Sequence, residues 1–435
     1  MTTKNHLDGQ KYKAQLDVYG NSLPGADKDW ITALRGTAMA EFIDAGLPGP
    51  KVEAWKYTNL SPLVSGKYDL HIEPTGAGDG VSPFKNNKGS EVVFTDGFYD
   101  KENSTEVKQK GVMLISLNDY MSNDPDAAQK LFLNKTTQNS LQSLNTALMT
   151  GGYVLIVDEN VKLAEPIHIV HNTTASSIDK GLRTRCFIDV KKNASAQIFE
   201  IFTGGNDQNY WRHHVTEATI AEKSELEIYQ IQQEGDQAIH TAETLIDVSK
   251  RANFKHYSLN IGGKISRTEI KPTLTGLNAN TDLRGAFLGR NGNSHDVFTH
   301  MKHLMPEGTS DQIYRGVLDN GGKSAFQGKV YVAKDAQLTN ADQSNKNLLL
   351  DRNAEANSKP ELLIYADDVK CSHGATVGEL DAEALFYLNS RGLDQTAAKS
   401  LLVEAFVAEV FEDVSFEPVR EKYLELARAW LDGDA

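Results

Sequence analysis

The chain has 435 residues, enough for two or three structural units, and a formal net charge of −14 with no long basic block. That balance argues against a nucleic-acid partner held through its phosphates. A hydrophobic content of 40% and a charged content of 24% describe a soluble globular chain whose core needs no disulfides.

Two cysteines, Cys186 and Cys371, lie far apart without framework spacing, which suits a reducing cytoplasm. The first residues are polar and lack the apolar stretch of a signal peptide. Apolar runs such as 153–157 are far too short to span a bilayer, so no membrane role is expected.

The first third, 1–150, reads as mainly helical. Residues 27–45 start acidic, carry Trp30, Ile31, Leu34, Met39, Phe42 and Ile43, and stop at Gly46 and Pro48. A second helical stretch runs over 124–149. Between them 51–115 is mixed, with Gly- and Asn-rich turns at 75–80 and 85–89, and Gly151-Gly152 then punctuates the chain.

From 151 to about 380 the pattern becomes a series of short extended pieces. They fall at 153–157, 167–170, 186–190, 196–202, 226–231, 244–248, 254–259, 281–287, 312–317, 328–332 and 362–365. Gly- and Asn-containing turns at 204–205, 262–263, 291–293 and 320–322 separate some of them. Strands at near-regular spacing over more than two hundred residues predict a mainly β fold, best satisfied by a β-solenoid with helical units protecting its ends.

Residues 381–435 predict a helical unit. Asp381 caps 382–391 with Gly392 as the stop; Asp394 caps a helix to about 414; Pro418 opens a last helix over 419–431.

The sequence holds no Walker A loop, Rossmann fingerprint or GxSxG elbow. Cys371 and His373 stand two apart, so a strand would project them on one face with Ser372 turned away. A thiolate beside an imidazole is half a site for iron, zinc or copper; the bland alternative is a packed cysteine with a hydrogen-bonded histidine. His300 and His303 would fall on opposite faces of a strand, as would His213 and His214. Carboxylate pairs such as Glu225 and Glu227, or Asp367 and Asp368, leave a β-helical carbohydrate-active enzyme as the alternative function. A stand-alone metal-binding protein is the other.

The run Asp367-Asp368-Val-Lys-Cys-Ser-His-Gly-Ala-Thr-Val-Gly378, followed by Phe386-Tyr387-Leu388-x-Ser390-Arg391-Gly392, closely resembles the C-terminal signature of the SufB/SufD family. Further matches are Arg315-Gly316-Val317, Phe326-x-Gly328, Gln343-x-Asn345, Leu348-Leu349-Leu350, Lys359-Pro360-x-Leu362 and Glu53-x-Trp55-Lys56-Tyr57-Thr58. The segment 341–350 has no cysteine, and glycine rather than glutamate follows His373, so the SufD form is the one it is similar to.

The resemblance implies a right-handed parallel β-helix with helical N- and C-terminal regions. It also implies a cytoplasmic, non-catalytic scaffold subunit of iron–sulfur cluster assembly. Such a subunit pairs with a SufB-like paralogue and binds a SufC-like ATPase through its C-terminal helices. By the same resemblance His373, with Cys371 beside it, contributes to a transient cluster shared across the SufB interface. Asp381, Leu385, Phe386, Tyr387, Arg391 and Phe406 are the expected ATPase contacts. A flavin in the complex and a homodimer of the isolated chain stay open.

Overall fold

The computed structural model describes residues 3–73, 89–133 and 139–433. The turns expected at 75–80 and most of 85–89 lie outside the described residues. The body is a β-solenoid of about eight two-strand turns, beginning with Tyr153–Val157 and Ile167–Thr173 and ending with Glu355–Ile364 and Lys370–Gly378. The first strand of every turn joins one ten-stranded sheet, here sheet A, and the second joins another, sheet B.

Pairing between turns is parallel and in register. Asn253, Asn280, Thr309, Asn340 and Lys370 stack one above the next. At six successive corners from sheet A to sheet B one residue takes a left-handed backbone: Asn193, Lys223, Arg251, Asn278, Glu307 and Leu338 all have φ between 55° and 60°. Each donates its N–H to a carbonyl of the next turn, ending at Leu338 on Asp368 (2.6 Å). These bonds repay the cost of about 1 kcal/mol that a non-glycine residue incurs there. They are one reason the corners tolerate lysine, arginine and leucine.

Successive side chains of a strand alternate between lumen and exterior. Leu155, Ile169, Ile188, Ile198, Leu226, Phe254 and Leu283 fill the lumen. The outer face of sheet B takes the helices Gln395–Phe411 and Glu417–Asp432, whose Val403, Val407, Phe411 and Tyr423 pack on Phe199, Tyr229, Tyr257 and Leu288. Burying each such side chain contributes about 1.5–3 kcal/mol. Arg315 grips Glu409 with both arms of its guanidinium (3.2 and 2.9 Å), and Arg284 reaches Asp413 (2.8 Å).

The outer face of sheet A takes the N-terminal helices. The stretch expected as one helix over 124–149 is two described helices, Pro125–Leu133 and Ser140–Leu148, with 134–138 outside the described residues. The second begins with a reciprocal Asn139–Gln142 capping box. Gly152 allows sheet A to pass directly over it: with φ at 136°, an added Cβ would lie 1.8 Å from the Arg185 carbonyl oxygen. Strands at Ser90–Thr95 and Val112–Ser116 add to sheets B and A, so the mixed segment before residue 151 extends the solenoid.

The Glu53-x-Trp55-Lys56-Tyr57-Thr58 segment is a strap across sheet A. Arg267 donates to the Ala54 carbonyl (2.7 Å) and to Thr58 (2.8 Å), and lies 3.9 Å over the Trp55 ring. Gln327 donates to the same carbonyl (3.1 Å), Lys359 pairs with Glu53, and Thr58 donates to Asp296. Burial pushes the Asp296 carboxyl up to about 6, with Arg267 and Thr58 opposing.

A raised carboxyl favours the folded state fully below its ordinary value of 3.8, and that contribution is lost as pH climbs through 6. Asp296→Asn, which keeps an acceptor for Thr58, is therefore expected to raise stability by about 1–3 kcal/mol at pH 7 and by little at pH 4. Urea midpoints of both proteins at the two pH values check this; a pH-independent difference would refute it.

Candidate functional site

The last turn carries the Cys-x-His pair. Lys370–Gly378 is hydrogen-bonded on one side to Asn340–Leu349, and Glu355–Ile364 to Lys323–Val332; the other edge of each is open among the described residues. Cys371 stands opposite Ala341 and His373 opposite Gln343. Ala341 belongs to the lumen, so Cys371 and His373 share the lumen face, and Cys371 packs partly against it together with Val369. Ser372 is turned outward and donates to Asp342. His373 is exposed because no turn of the described residues stacks above it.

Burial raises the Cys371 thiol, and the Asp342 carboxylate adds to that. The pair is thus a neutral, half-covered thiol beside an open imidazole. Beneath His373, Gln343 is buried, and neither end of its amide has a hydrogen-bond partner among the described residues. The amide reaches across the lumen onto the backbone of Gly328, where an added Cβ would lie 1.9 Å from Nε2. This contact accounts for a glycine at 328 facing a glutamine at 343. Gly374 is different: a Cβ there meets nothing within 4 Å, so the chain's own packing does not require glycine.

Asp381 caps Ala382–Ser390, accepting from Glu383 N–H (2.8 Å) and Ala384 N–H (3.2 Å). Phe386 and Tyr387 point to solvent, 75% and 60% exposed. Leu385 is half-buried and lines a cleft of about 330 Å³ with Leu350, Leu380 and Lys399. Arg391 is exposed. Phe406 faces the solenoid instead, half-buried with the Arg315 guanidinium 5.8 Å from its ring.

His300 and His303 do separate: His303 is buried and bonded to Ser310 (2.9 Å), while His300 lies among Lys271, Lys302 and Lys329. Glu225 and Glu227 are bound by Lys255 on the outer face of sheet B (3.1 and 2.6 Å), a charge ladder rather than an acid–base pair. Sequence spacing misses one gathering of donors, His171, Glu200 and His214, because they come from three strands. The linear trace is three titratable residues at lumen positions of largely apolar or hydroxyl-bearing runs, with Arg212 on the same face two residues before His214.

Alkylation of Cys371 by iodoacetamide at about pH 7.5 is expected to be slower than that of a small free thiol, and faster in Asp342→Asn. Mass spectrometry of the Cys371 peptide over time measures it. A rate matching the free thiol would contradict a raised pKa.

Residues 171–406 match the family model described as SUF system FeS cluster assembly, SufBD core domain, and residues 10–169 match the SufBD protein N-terminal region. An iron–sulfur cluster assembly SufBD family protein of Synechocystis is 31% identical over 384 residues, covering 85% of this chain and 84% of that protein. The iron–sulfur cluster assembly protein SufD of Escherichia coli is 29% identical over 405 residues (91% and 92%). That of Bacillus subtilis is 24% identical over 419 residues (91% and 93%). With both halves of the chain matched, it belongs to the SufBD family of SUF-system iron–sulfur cluster assembly proteins.

Proposed function

We propose that the chain is a non-catalytic, cytoplasmic scaffold subunit that pairs through its last solenoid turn with a SufB-like paralogue. On this reading it presents His373, with Cys371 beside it, to a transient iron–sulfur cluster that is cargo of the complex. The observation that carries the reading is the open edge of the last turn, where both sheets end unpaired among the described residues and the Cys-x-His pair stands on one of them. Leu363, Ile364, Tyr365 and Val377 add exposed apolar surface to the same turn, as an interface core needs. Open strand edges pair readily, so a paralogous solenoid or a second copy could continue both sheets.

The pair alone is an incomplete site. Structural zinc takes four ligands and iron–sulfur clusters usually four thiolates. One neutral thiol and one imidazole therefore need ligands from the partner, and the resulting mixed set suits loading and release. The SufC-like ATPase is assigned to the exposed face of Ala382–Ser390, where Phe386 and Tyr387 have no cover from the described residues. Deleting 394–435 would not test that, because it strips the cover from sheet B.

Two experiments examine the reading in the co-expressed complex. His373 is exposed, so the unfolding free energy of His373→Ala is expected to match the parent within about 0.5 kcal/mol, while iron and sulfide in the complex fall. Full cluster yield would refute the ligand role. Phe386→Ser combined with Tyr387→Ser is expected to keep the paralogue and lose the ATPase in affinity purification. A weakening of ~10-fold or more is expected, since buried aromatic anchors dominate interfaces. Unchanged ATPase recovery would move its contact elsewhere.

A further inference from the structure

The lumen is mostly apolar, but three donor side chains meet inside it near its N-terminal end. His171 and Glu200 come from neighbouring strands of sheet B, and His214 comes from sheet A. Nε2 of His171 lies 3.2 Å from Glu200 Oε1, and Nε2 of His214 lies 3.3 Å from the same oxygen. All three side chains are at most 5% exposed.

Their orientation is held from outside the cluster. The His171 ring stands between Phe94 (5.4 Å, 26°) and Phe202 (4.6 Å, 7°), in a stack across three successive strands of sheet B. Thr184 Oγ1 lies 2.7 Å from His214 Nδ1, which leaves Nε2 of that ring for the cluster. The Tyr153 hydroxyl donates to Glu200 (3.3 Å), and Thr216 Oγ1 sits 3.0 Å from His214 Nε2. A ring whose far nitrogen is fixed by an outer partner is the usual setting of a metal-ligating histidine.

Glu200 meets the two imidazoles and the Tyr153 hydroxyl, while Arg212, in the same lumen, is committed to Glu234 (2.7 Å). Ligand atoms on a tetrahedral centre with bonds of about 2.0–2.1 Å lie about 3.3 Å apart; the two spacings to Glu200 Oε1 match that, and the three ligand atoms lie within 4.8 Å of one another, so the two imidazoles would close on the ion.

We propose that His171, Glu200 and His214 bind a divalent first-row transition-metal ion of the zinc or iron(II) class, completed by the Thr216 hydroxyl or one water. Two imidazoles and a carboxylate are a donor set for such ions. Enclosed between turns, the ion would pin sheet A to sheet B during folding and exchange slowly. It is separate from the Cys371–His373 edge and does not depend on the scaffold reading.

The test uses the full chain expressed with added zinc, or anaerobically with added iron, then washed with chelator and analysed for metal. Close to one ion per chain is expected in the parent and in a Cys371→Ser, His373→Ala double variant. His171→Phe, which continues the ring stack, is expected to hold ~10-fold less or lower still. A folded parent without metal overturns the proposal and leaves a plain hydrogen-bonded triad. Equal metal in folded His171→Phe overturns it too, by placing the ion elsewhere. Should His171→Phe not fold, Glu200→Gln takes its place. The parent refolded with cobalt(II) gives an independent reading: a tetrahedral visible band supports the site, and its absence counts against it.

Discussion

Stacking turns in parallel register satisfies backbone hydrogen bonds inside the body and leaves a row of unpaired N–H and C=O groups at each end. The rest of this molecule is arranged around that constraint. At the N-terminal end each sheet finishes in a short antiparallel strand, which shortens the open edge without removing it. Val112–Ser116 pairs antiparallel with Tyr153–Val157, and Phe98–Asp100 pairs antiparallel with Ser90–Thr95. At the C-terminal end the described residues provide no such cap, and the Asp-Asp-Val-Lys-Cys-Ser-His-Gly run is placed there. An open edge is an aggregation hazard for a monomer and an asset for a subunit.

The two outer faces follow from the same geometry. Each sheet has an exterior as wide as its lumen face, and a parallel sheet is seldom left bare on one side. Helices before and after the solenoid provide the cover, one group per sheet. The braces are polar: Arg315 on Glu409 for sheet B, and Arg267 with Trp55 and Thr58 for sheet A. Residues that read in sequence as family signatures thus divide by task. Glu53, Trp55, Thr58, Arg315, Gly328 and Lys359 are architecture, whereas Gly374 has no internal contact to account for it.

Legibility in the sequence tracked apolar alternation. Strands such as Tyr153–Val157 and Glu225–Gln233 alternate cleanly or are apolar throughout, and were readable. Trp211–Ile220, Ile265–Leu274, Ser294–His303 and Asn340–Leu349 were not. Their outward residues bind the strap or neighbouring charges, and several inward ones, His214, His295, His303 and Gln343, are polar, so neither face shows a hydrophobic period. The corners divided the same way. Glycine and asparagine marked many of the returns to sheet A, while those to sheet B mix Asn193 and Asn278 with Lys223, Arg251, Glu307 and Leu338, whose left-handed backbone composition does not signal. Helix starts were legible wherever a side chain caps them, as at Asp381 and Asp394.

The Cys-x-His pair was legible as a half-site because strand alternation alone puts both residues on one face. Whether Lys370 or the acidic neighbours govern the thiol was not, since that depends on a strand thirty residues earlier. Pairing sets Cys371 beside Ala341 and next to Asp342, and burial with that carboxylate keeps the thiol protonated. A protonated thiol is a poor ligand until a metal or a cationic neighbour displaces its proton. Covering the edge changes both inputs at once, since a docked partner removes water from His373 and Cys371 and brings its own charges against Asp342. On the proposed reading, ligand strength at this edge would depend on what a partner brings: further burial alone would raise the thiol more, whereas a cation set against Asp342 would favour the thiolate.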